Sequence, residues 1–133
     1  MEKAFVTDTI QSICKDIGFP FITKVKTEKW KADVLVDCGP YKIAFNVCNL
    51  PRNVEEVYLA MRQERVCGCW MLMPSFRKLV LSKLPCFYIQ DIRGEISVLL
   101  HKIREEEYSL PIDDFIRRSE ERRVGKECVT ECR

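Results

Sequence analysis

Residues 30–50 read WKADVLVDCGPYKIAFNVCNL, and the fold prediction starts from this stretch. Two apolar runs, at 32–38 and 41–48, flank a Gly39-Pro40 pair, which favours a tight reversal of the chain. The pattern therefore predicts a β-hairpin. One acidic residue, Asp33, is set inside its first strand.

Side chains alternate along a strand, so each strand of this hairpin has two distinct faces. The first strand places three side chains on one face: Asp33, Leu35 and Asp37. The partner strand does the same with three others: Ala44, Asn46 and Cys48. The remaining apolar side chains are then expected to face the core: Val34, Val36, Ile43, Phe45 and Val47.

The other elements follow from hydrophobic periodicity and turn residues. Apolar side chains recur at helical spacing over residues 3–17, and Gly18 follows them as a helix-ending glycine. Residues 19–27 indicate a strand, and residues 53–65 a second helix that Asn53 and Glu56 begin with a capping box. The apolar run at 66–73 is typical of a strand covered on both faces. This gives an α/β fold in the order α-β-β-β-α-β, with a mixed central sheet flanked by helices.

Small C-terminal appendages are expected after this core. Residues 79–81 and 86–90 indicate short outer strands. A third helix is predicted from the spacing of four apolar residues: Ile96, Leu99, Leu100 and Ile103. Residues 110–116 indicate a short terminal helix capped by Asp113 and Asp114.

Length and composition limit the possible classes of protein. The chain has 133 residues, 47% hydrophobic and 32% charged, which suits one soluble domain. Its net charge of +2 creates no strong field toward nucleic acid, so such binding requires a local basic face. No apolar run is long enough to span a bilayer, and the N-terminus lacks the apolar core of a signal peptide. We expect a cytoplasmic protein without a membrane partner.

Eight cysteines would suggest a disulfide framework in a small secreted chain. Six of them lie in apolar strand or helix patterns, where a thiol behaves as a small hydrophobe. Zinc is not indicated, because Cys67 and Cys69 are one residue apart and the only histidine is His101. Free thiols are the expectation.

The C-terminal segment differs from the rest in its pattern. Residues 118–128 read RSEERRVGKEC without apolar periodicity, and they look like the translation of a common sequencing adaptor. We therefore expect a domain over residues 1–117 and an artefactual, disordered tail over 118–133. The alternative is a natural, charged and solvated tail.

Several features occur in a fixed order along the chain: Glu28, Ala32-Asp33-Val34-Leu35, Tyr41-Lys42-Ile43-Ala44-Phe45, a helix with Arg62, and Gly68-Cys69-Trp70. Together they resemble the competence protein CoiA-like family of the PD-(D/E)XK nuclease superfamily. The resemblance covers residues 20–73 and extends weakly to Ile116. It implies a restriction endonuclease-like core with a three- or four-stranded sheet. It also implies that the hairpin holds Mg²⁺ or Mn²⁺, which activates a water for DNA cleavage.

In this resemblance Asp33 is the central metal ligand and Glu28 a supporting carboxylate. The family has a glutamate at position 46 and a glutamine or lysine at position 48, where this chain has Asn46 and Cys48. Asn46 offers a carbonyl oxygen without charge, and Cys48 cannot hold an attacking water as an amide or ammonium does. The candidate catalytic residues are Glu28, Asp33, Asn46 and Cys48, and the candidate metal ligands are Asp33, Glu28 and Asn46.

A missing carboxylate could come instead from Glu55 or Glu56, although glutamates in a first helical turn also complement the helix dipole. The candidate nucleic-acid contacts are basic: Lys24, Lys26, Lys31, Lys42 and Arg62. Lysines at a sheet edge also protect against aggregation. Two functions stay open, a DNA-binding protein with weak metal-dependent cleavage and a catalytically inactive binding or interaction module. No small-molecule cofactor is expected.

Overall fold

A seven-stranded mixed sheet forms the middle of the molecule. The computed structural model of the chain describes residues 2–48, 50–72, 86–103 and 106–124. Within these residues the elements are α1 (Lys3–Ile17), β1 (Phe21–Lys26), β2 (Lys31–Asp37), β3 (Lys42–Val47), α2 (Val54–Gln63), β4 (Val66–Leu72), β5 (Cys86–Ile92), β6 (Glu95–Ile103), β7 (Glu106–Pro111) and α3 (Ile112–Val124). None of the helices in these ranges has the length and apolar character needed to cross a membrane.

The strands lie side by side in chain order, from β1 to β7. β1, β2 and β3 form an antiparallel meander, and α2 then carries the chain over so that β4 lies parallel to β3. This confirms the predicted α/β class and the order α-β-β-β-α-β through β4. The sheet is larger than the three or four strands expected, because β5 joins β4 and continues into a second antiparallel meander with β6 and β7.

Helices cover both faces of the sheet. A Cβ on Gly68 of β4 would lie 2.9 Å from Sδ of Met61, so α2 covers the face that Gly68 shares with Trp70. On the opposite face Phe87 contacts Phe115 of α3 edge-on, with ring centroids 4.9 Å apart, and α3 in turn contacts α1. Every residue of β4 is buried, which confirms the prediction of a central strand covered on both faces.

The hairpin turn forms where Gly39-Pro40 predicted it. The Cys38 N–H donates to the Tyr41 carbonyl at 3.0 Å, and the Gly39 N–H donates to Oδ1 of Asp37 at 2.9 Å. Gly39 has a φ of 96°, a conformation that glycine adopts without strain. Alternation assigned the core to one face of the hairpin alone. Because α2 covers the other face, three of its side chains are buried as well: Leu35, Ala44 and Asn46.

The helix predicted through Ile96 and Ile103 is wrong, since these residues form β6. Arg93 and Gly94, with φ values of 53° and 84°, make a two-residue turn that returns the chain from β5. Positive φ at both central positions matches the twist of a β-hairpin. Ile96 and Val98 are then buried on one face of the new strand. The helical spacing was a coincidence within an apolar strand.

Several other element boundaries differ from the predicted ones. The helix expected at 110–116 begins at Ile112, because residues up to Pro111 belong to β7. It continues to Val124, so the domain limit drawn after residue 117 falls inside α3. At the start of α2, the Asn53 side chain makes no hydrogen bond to the helix backbone and contacts Oε2 of Glu56 at 3.4 Å instead of forming a capping box. The strand expected at 79–81 lies outside the described residues.

We expect Gly68→Ala to lower the free energy of unfolding by about 1–3 kcal/mol, the usual cost of overpacking a core. The new Cβ would lie 2.7 Å from Cη2 of Trp70 and 2.9 Å from Sδ of Met61, and both side chains are fully buried. Urea denaturation measures the change. Ser12→Ala, at an exposed position of α1, is the control and should alter stability by less than about 0.5 kcal/mol. Equal stability of Gly68→Ala and the parent would contradict this packing.

Candidate functional site

The two strands of the hairpin separate at the end that carries Asp33. Their paired register runs from the turn as far as Val34 opposite Phe45 and stops there, although both strands continue. We call the segment beyond this pair the fork. Fork backbone groups that have lost a partner on the facing strand must find one elsewhere.

Two polar side chains bridge the fork. Oδ2 of Asp33 accepts the Val47 N–H at 2.8 Å, and Nδ2 of Asn46 donates to the Lys31 carbonyl at 2.9 Å. Each bond joins a side chain of one strand to the backbone of the other, where a strand-to-strand hydrogen bond would otherwise lie. Asp33 and Asn46 therefore hold β2 and β3 together at this end.

The second oxygen of Asp33 is engaged as well. Oδ1 lies 3.1 Å from Nζ of Lys3, the first residue of α1. The Asp33 side chain is 22% exposed and that of Lys3 is 47% exposed, so the pair sits at the edge of the core. Both carboxylate oxygens thus have a protein partner, and the cation beside Asp33 is an ammonium group.

Cys48 lies in the same cluster but outside the strand. Its φ of 59° takes the chain out of β3 after Val47, so strand alternation does not extend to it, and its N–H donates to the Met71 carbonyl at 2.8 Å. Burial raises the pKa of the Cys48 thiol, while nearby Lys3 lowers it and Asp33 raises it. The thiol is protonated at neutral pH, so Cys48 is a weak nucleophile and a weak metal ligand.

β1 is distorted next to the fork. Lys24 has a φ of 52° and falls opposite Asp33, between the pairs that Thr23 and Val25 make with β2. A regular strand would have placed Lys24 and Lys26 on one face with Glu28. In this strand the positive φ of Lys24 interrupts that alternation, and the strand ends at Lys26, before Glu28.

Glu28 lies in the tight turn between β1 and β2 rather than on a strand. The Thr27 N–H donates to the Trp30 carbonyl at 2.8 Å, and the Thr27 hydroxyl accepts N–H bonds from Lys29 and Trp30. Glu28 is exposed at the tip of this turn. About 10 Å of extended chain separates Trp30 from Asp33, so the turn holds Glu28 well away from the Asp33 carboxylate.

These positions do not fit a divalent ion bound through Asp33. The described ranges contain no group of three or more His, Cys, Asp or Glu side chains placed to hold a metal ion. Neither Glu55 nor Glu56, both exposed in the first turn of α2, completes such a group. The two oxygens of Asp33 already have an N–H and an ammonium as partners.

Asn46 and Glu28 both line a cavity of about 240 Å³ beside α2. Trp30 and Trp70 line it too, and Asn46 is the one buried polar or charged residue among the described side chains. Its Oδ1 has no hydrogen-bond donor among the described residues. We call this space the Asn46 cavity. The sequence patterns did not indicate this cavity, because Trp70 lies in an apolar strand and is expected to be a core residue.

The basic residues form two separate groups. Lys24, Lys26 and Lys31, with Lys29, are exposed on the edge hairpin of β1 and β2, and we call these four the lysine hairpin. The other two, Lys42 and Arg62, lie toward the opposite end of the sheet. There Arg62 and Arg65 line a different cavity of about 380 Å³, and the Arg62 guanidinium lies 5.8 Å from the centre of the Tyr58 ring.

The described cysteines are present as thiols and not as disulfides: Cys14, Cys38, Cys48, Cys67, Cys69 and Cys86. Burial raises the pKa of Cys14 to about 11 and that of Cys86 to about 12. Thiols with such pKa values are protonated at neutral pH and behave as small apolar groups.

A scan against protein-family models finds no family that matches this chain, and a search of the curated proteins finds no relative. The resemblance to the CoiA-like family therefore stays a hypothesis that depends on the residues quoted for it. The geometry of the fork and of the Asn46 cavity is the basis for a functional proposal.

We expect Asp33→Ala to lower the free energy of unfolding by about 1–3 kcal/mol, because it leaves the N–H of fully buried Val47 without an acceptor. Lys3→Ala should cost less than about 1 kcal/mol, since the Lys3 side chain is half exposed. Chemical denaturation of both variants provides the comparison. Removal of a carboxylate that serves only to bind metal would leave the free energy of unfolding unchanged or raise it. An Asp33→Ala protein as stable as the parent, or more stable, would therefore contradict the structural role.

Proposed function

We propose that this chain is a DNA-binding protein with a PD-(D/E)XK nuclease-like fold, similar to the CoiA-like family, that binds phosphates through lysines and does not cleave DNA. The order α-β-β-β-α-β supports the fold, with an antiparallel meander followed by a parallel fourth strand. The observation that carries the functional part is the Lys3–Asp33 ion pair at the fork. A side-chain cation lies where the resemblance requires a metal ion.

The chemistry of the fork favours binding over hydrolysis. Metal-dependent hydrolysis needs a cation with open positions for both water and phosphate. Asp33 holds an ammonium and an amide N–H, Asn46 has no negative charge, and the Cys48 thiol is protonated. These groups supply neither a metal cage nor a general base, so we derive no cleavage step. Glu28, at the turn tip, does not compensate.

Positive charge is concentrated next to the fork. The lysine hairpin places four exposed ammonium groups around a single carboxylate, that of Glu28, over residues 24–31. Lys3 adds a fifth, and an ammonium has three N–H donors, of which Oδ1 of Asp33 accepts one. Although the net charge of the chain is only +2, this local face suits contact with several phosphates. The edge position of β1 leaves the lysine hairpin accessible.

Binding to single-stranded DNA should weaken when the lysine hairpin is neutralised. We expect Lys26→Gln with Lys31→Gln to reduce the slope of log Kobs against log salt by about 0.7 for each phosphate contact removed. The matched control is Lys15→Gln with Arg118→Gln, which removes two exposed cations from α1 and α3. Fluorescence anisotropy at several salt concentrations measures both. Equal losses in the two double variants would show that the protein binds only through its diffuse charge.

DNA binding should not depend on divalent metal ions. We expect the same affinity in EDTA, Mg²⁺ and Mn²⁺ at constant ionic strength, because the positive groups at the fork are side chains. A supercoiled plasmid incubated with the protein and Mn²⁺ should stay intact. Asp33→Ala, purified in the same way, identifies contaminating nucleases. Nicking by the parent protein that requires Mn²⁺ and disappears in Asp33→Ala would overturn the proposal and restore cleavage as the function.

A further inference from the structure

Positive charge is also concentrated in a cavity at the hairpin-turn end of the sheet, away from the fork. This cavity has a volume of about 380 Å³. The residues that line it come from the turn, the end of α2 and the start of β4: Pro40, Tyr41, Arg62, Arg65, Val66 and Cys67. Two of these six side chains are guanidinium groups, and none is acidic. We call this space the arginine cavity.

The carboxylates at this end of the sheet do not neutralise the two arginines. Glu64 directly precedes Arg65, but its Oε2 accepts the indole N–H of Trp30 at 2.8 Å. Asp37 accepts a backbone N–H of the hairpin turn at 2.9 Å. The ion pairs found among the described residues involve neither Arg62 nor Arg65. Two like charges that line one cavity repel each other, and a bound anion would offset this repulsion.

Both arginines are anchored before any ligand binds. Arg62 lies in the last turn of α2, and its guanidinium is 5.8 Å from the centre of the buried Tyr58 ring, within the range of a cation–π contact. Arg65 has a φ of 61°, a conformation that costs energy in a residue other than glycine. Its N–H donates to the Arg62 carbonyl and its own carbonyl accepts the Lys42 N–H, both at 3.1 Å. A ligand would therefore not have to order the backbone that carries the two guanidinium groups.

The side chains that would contact a ligand are open to solvent. Pro40 and Arg65 are exposed, and Tyr41 and Arg62 are partly exposed. A guanidinium presents its N–H donors as a planar fork that matches two oxygens of a phosphate or a carboxylate. The volume of about 380 Å³ falls in the range of sites for small organic molecules, so the cavity has room for an anionic group and for the organic part attached to it.

The charge of the arginine cavity selects among anions. Two guanidinium groups are best balanced by two negative charges. A phosphate monoester carries a charge of about −1.5 to −2 at pH 7, because its second pKa is near 6. A phosphodiester or a carboxylate carries a single negative charge. The cavity should therefore prefer a monoester over the internal phosphates of a nucleic acid strand.

We propose that the arginine cavity binds a phosphate monoester. The phosphate oxygens accept N–H bonds from Arg62 and Arg65, and the organic part of the ligand lies against Pro40 and Tyr41. The monoester can come from a free nucleotide or from the 5′-terminal phosphate of a DNA strand. Only the second source rests on the proposed function. The lysine hairpin, which faces internal phosphates, is a separate site.

Isothermal titration calorimetry with three matched probes tests the class of ligand. Adenosine 5′-monophosphate is a monoester, adenosine 3′,5′-cyclic monophosphate is a diester with the same base and sugar, and adenosine has no phosphate. We expect the monoester to bind about tenfold more tightly than the cyclic diester, and adenosine to bind most weakly. Equal affinity for the monoester and the cyclic diester would overturn the proposal.

Variants of the two arginines locate the site. Arg62→Gln should weaken the binding of adenosine 5′-monophosphate about tenfold, the contribution of one hydrogen-bonded charge. Arg65→Gln, at an exposed position, should have the same effect and protects the test, because Arg62 also contacts Tyr58. Arg52→Gln removes an exposed arginine ahead of α2 and should leave the affinity unchanged. Circular dichroism verifies that each variant is folded. Unchanged affinity in both folded arginine variants of the cavity would overturn the assignment.

Two DNA strands of one sequence, with a 5′-phosphate or a 5′-hydroxyl, distinguish the two sources. If the strand end is the source, the 5′-phosphate strengthens binding to the parent protein but not to Arg65→Gln. If the 5′-phosphate has no effect while adenosine 5′-monophosphate binds, the source is a free monoester.

The outcomes also separate this proposal from the proposed function. If adenosine 5′-monophosphate does not bind and both strands bind equally, DNA binding stands and the proposed monoester site is wrong. If adenosine 5′-monophosphate binds through the two arginines but neither strand binds, the monoester site stands and the proposed function fails.

Discussion

The arrangement of the whole site depends on one hydrogen bond, from the Val47 N–H to the Asp33 carboxylate. β2 and β3 diverge beyond Val34, and Val47 is completely buried there. Water therefore cannot accept a hydrogen bond from the Val47 N–H. Asp33 supplies the acceptor, and Lys3 balances the charge that this places at the edge of the core. The bond lies at the last residue of β3, directly before the chain turns at Cys48.

This constraint changes the chemistry that an acidic residue inside a strand suggests. A divalent metal ion beside a carboxylate supplies the positive charge that balances it, whereas the Asp33 carboxylate is balanced by the Lys3 ammonium and also accepts the Val47 N–H. Asn46 is compatible with that role, since an amide can bridge the fork without adding a second negative charge beside Asp33. Asn46 and the protonated Cys48 thiol suit a fork that is held by hydrogen bonds.

Much of the core could be predicted from the sequence, because its signals are local. Apolar spacing with Gly18 marked α1, Gly39-Pro40 marked the hairpin turn, and the apolar run of β4 marked a strand with two covered faces. The prediction of a helix at β6 was wrong because an apolar strand can also place residues at helical spacing. The turn at Arg93 and Gly94 makes this segment a strand that pairs with β5.

The fork could not be predicted in the same way, since its contacts join residues far apart in the chain or depend on backbone conformation. Lys3 and Asp33 are joined only by the packing of α1, and no spacing rule connects them. Lys24 and Cys48 have positive φ without being glycine, so alternation failed at both. Left-handed residues of this kind cost energy and tend to cluster at functional positions, and these two flank Asp33.

A crystal structure of the protein grown in Mn²⁺, with anomalous scattering recorded at the manganese edge, shows whether Asp33 binds a metal ion or Lys3. We expect no anomalous peak at Asp33, with Nζ of Lys3 still about 3.1 Å from Oδ1 and the Val47 N–H still donating to Oδ2. A manganese ion about 2.1 Å from an Asp33 oxygen, with Lys3 displaced, would contradict it and make Asp33 a metal ligand.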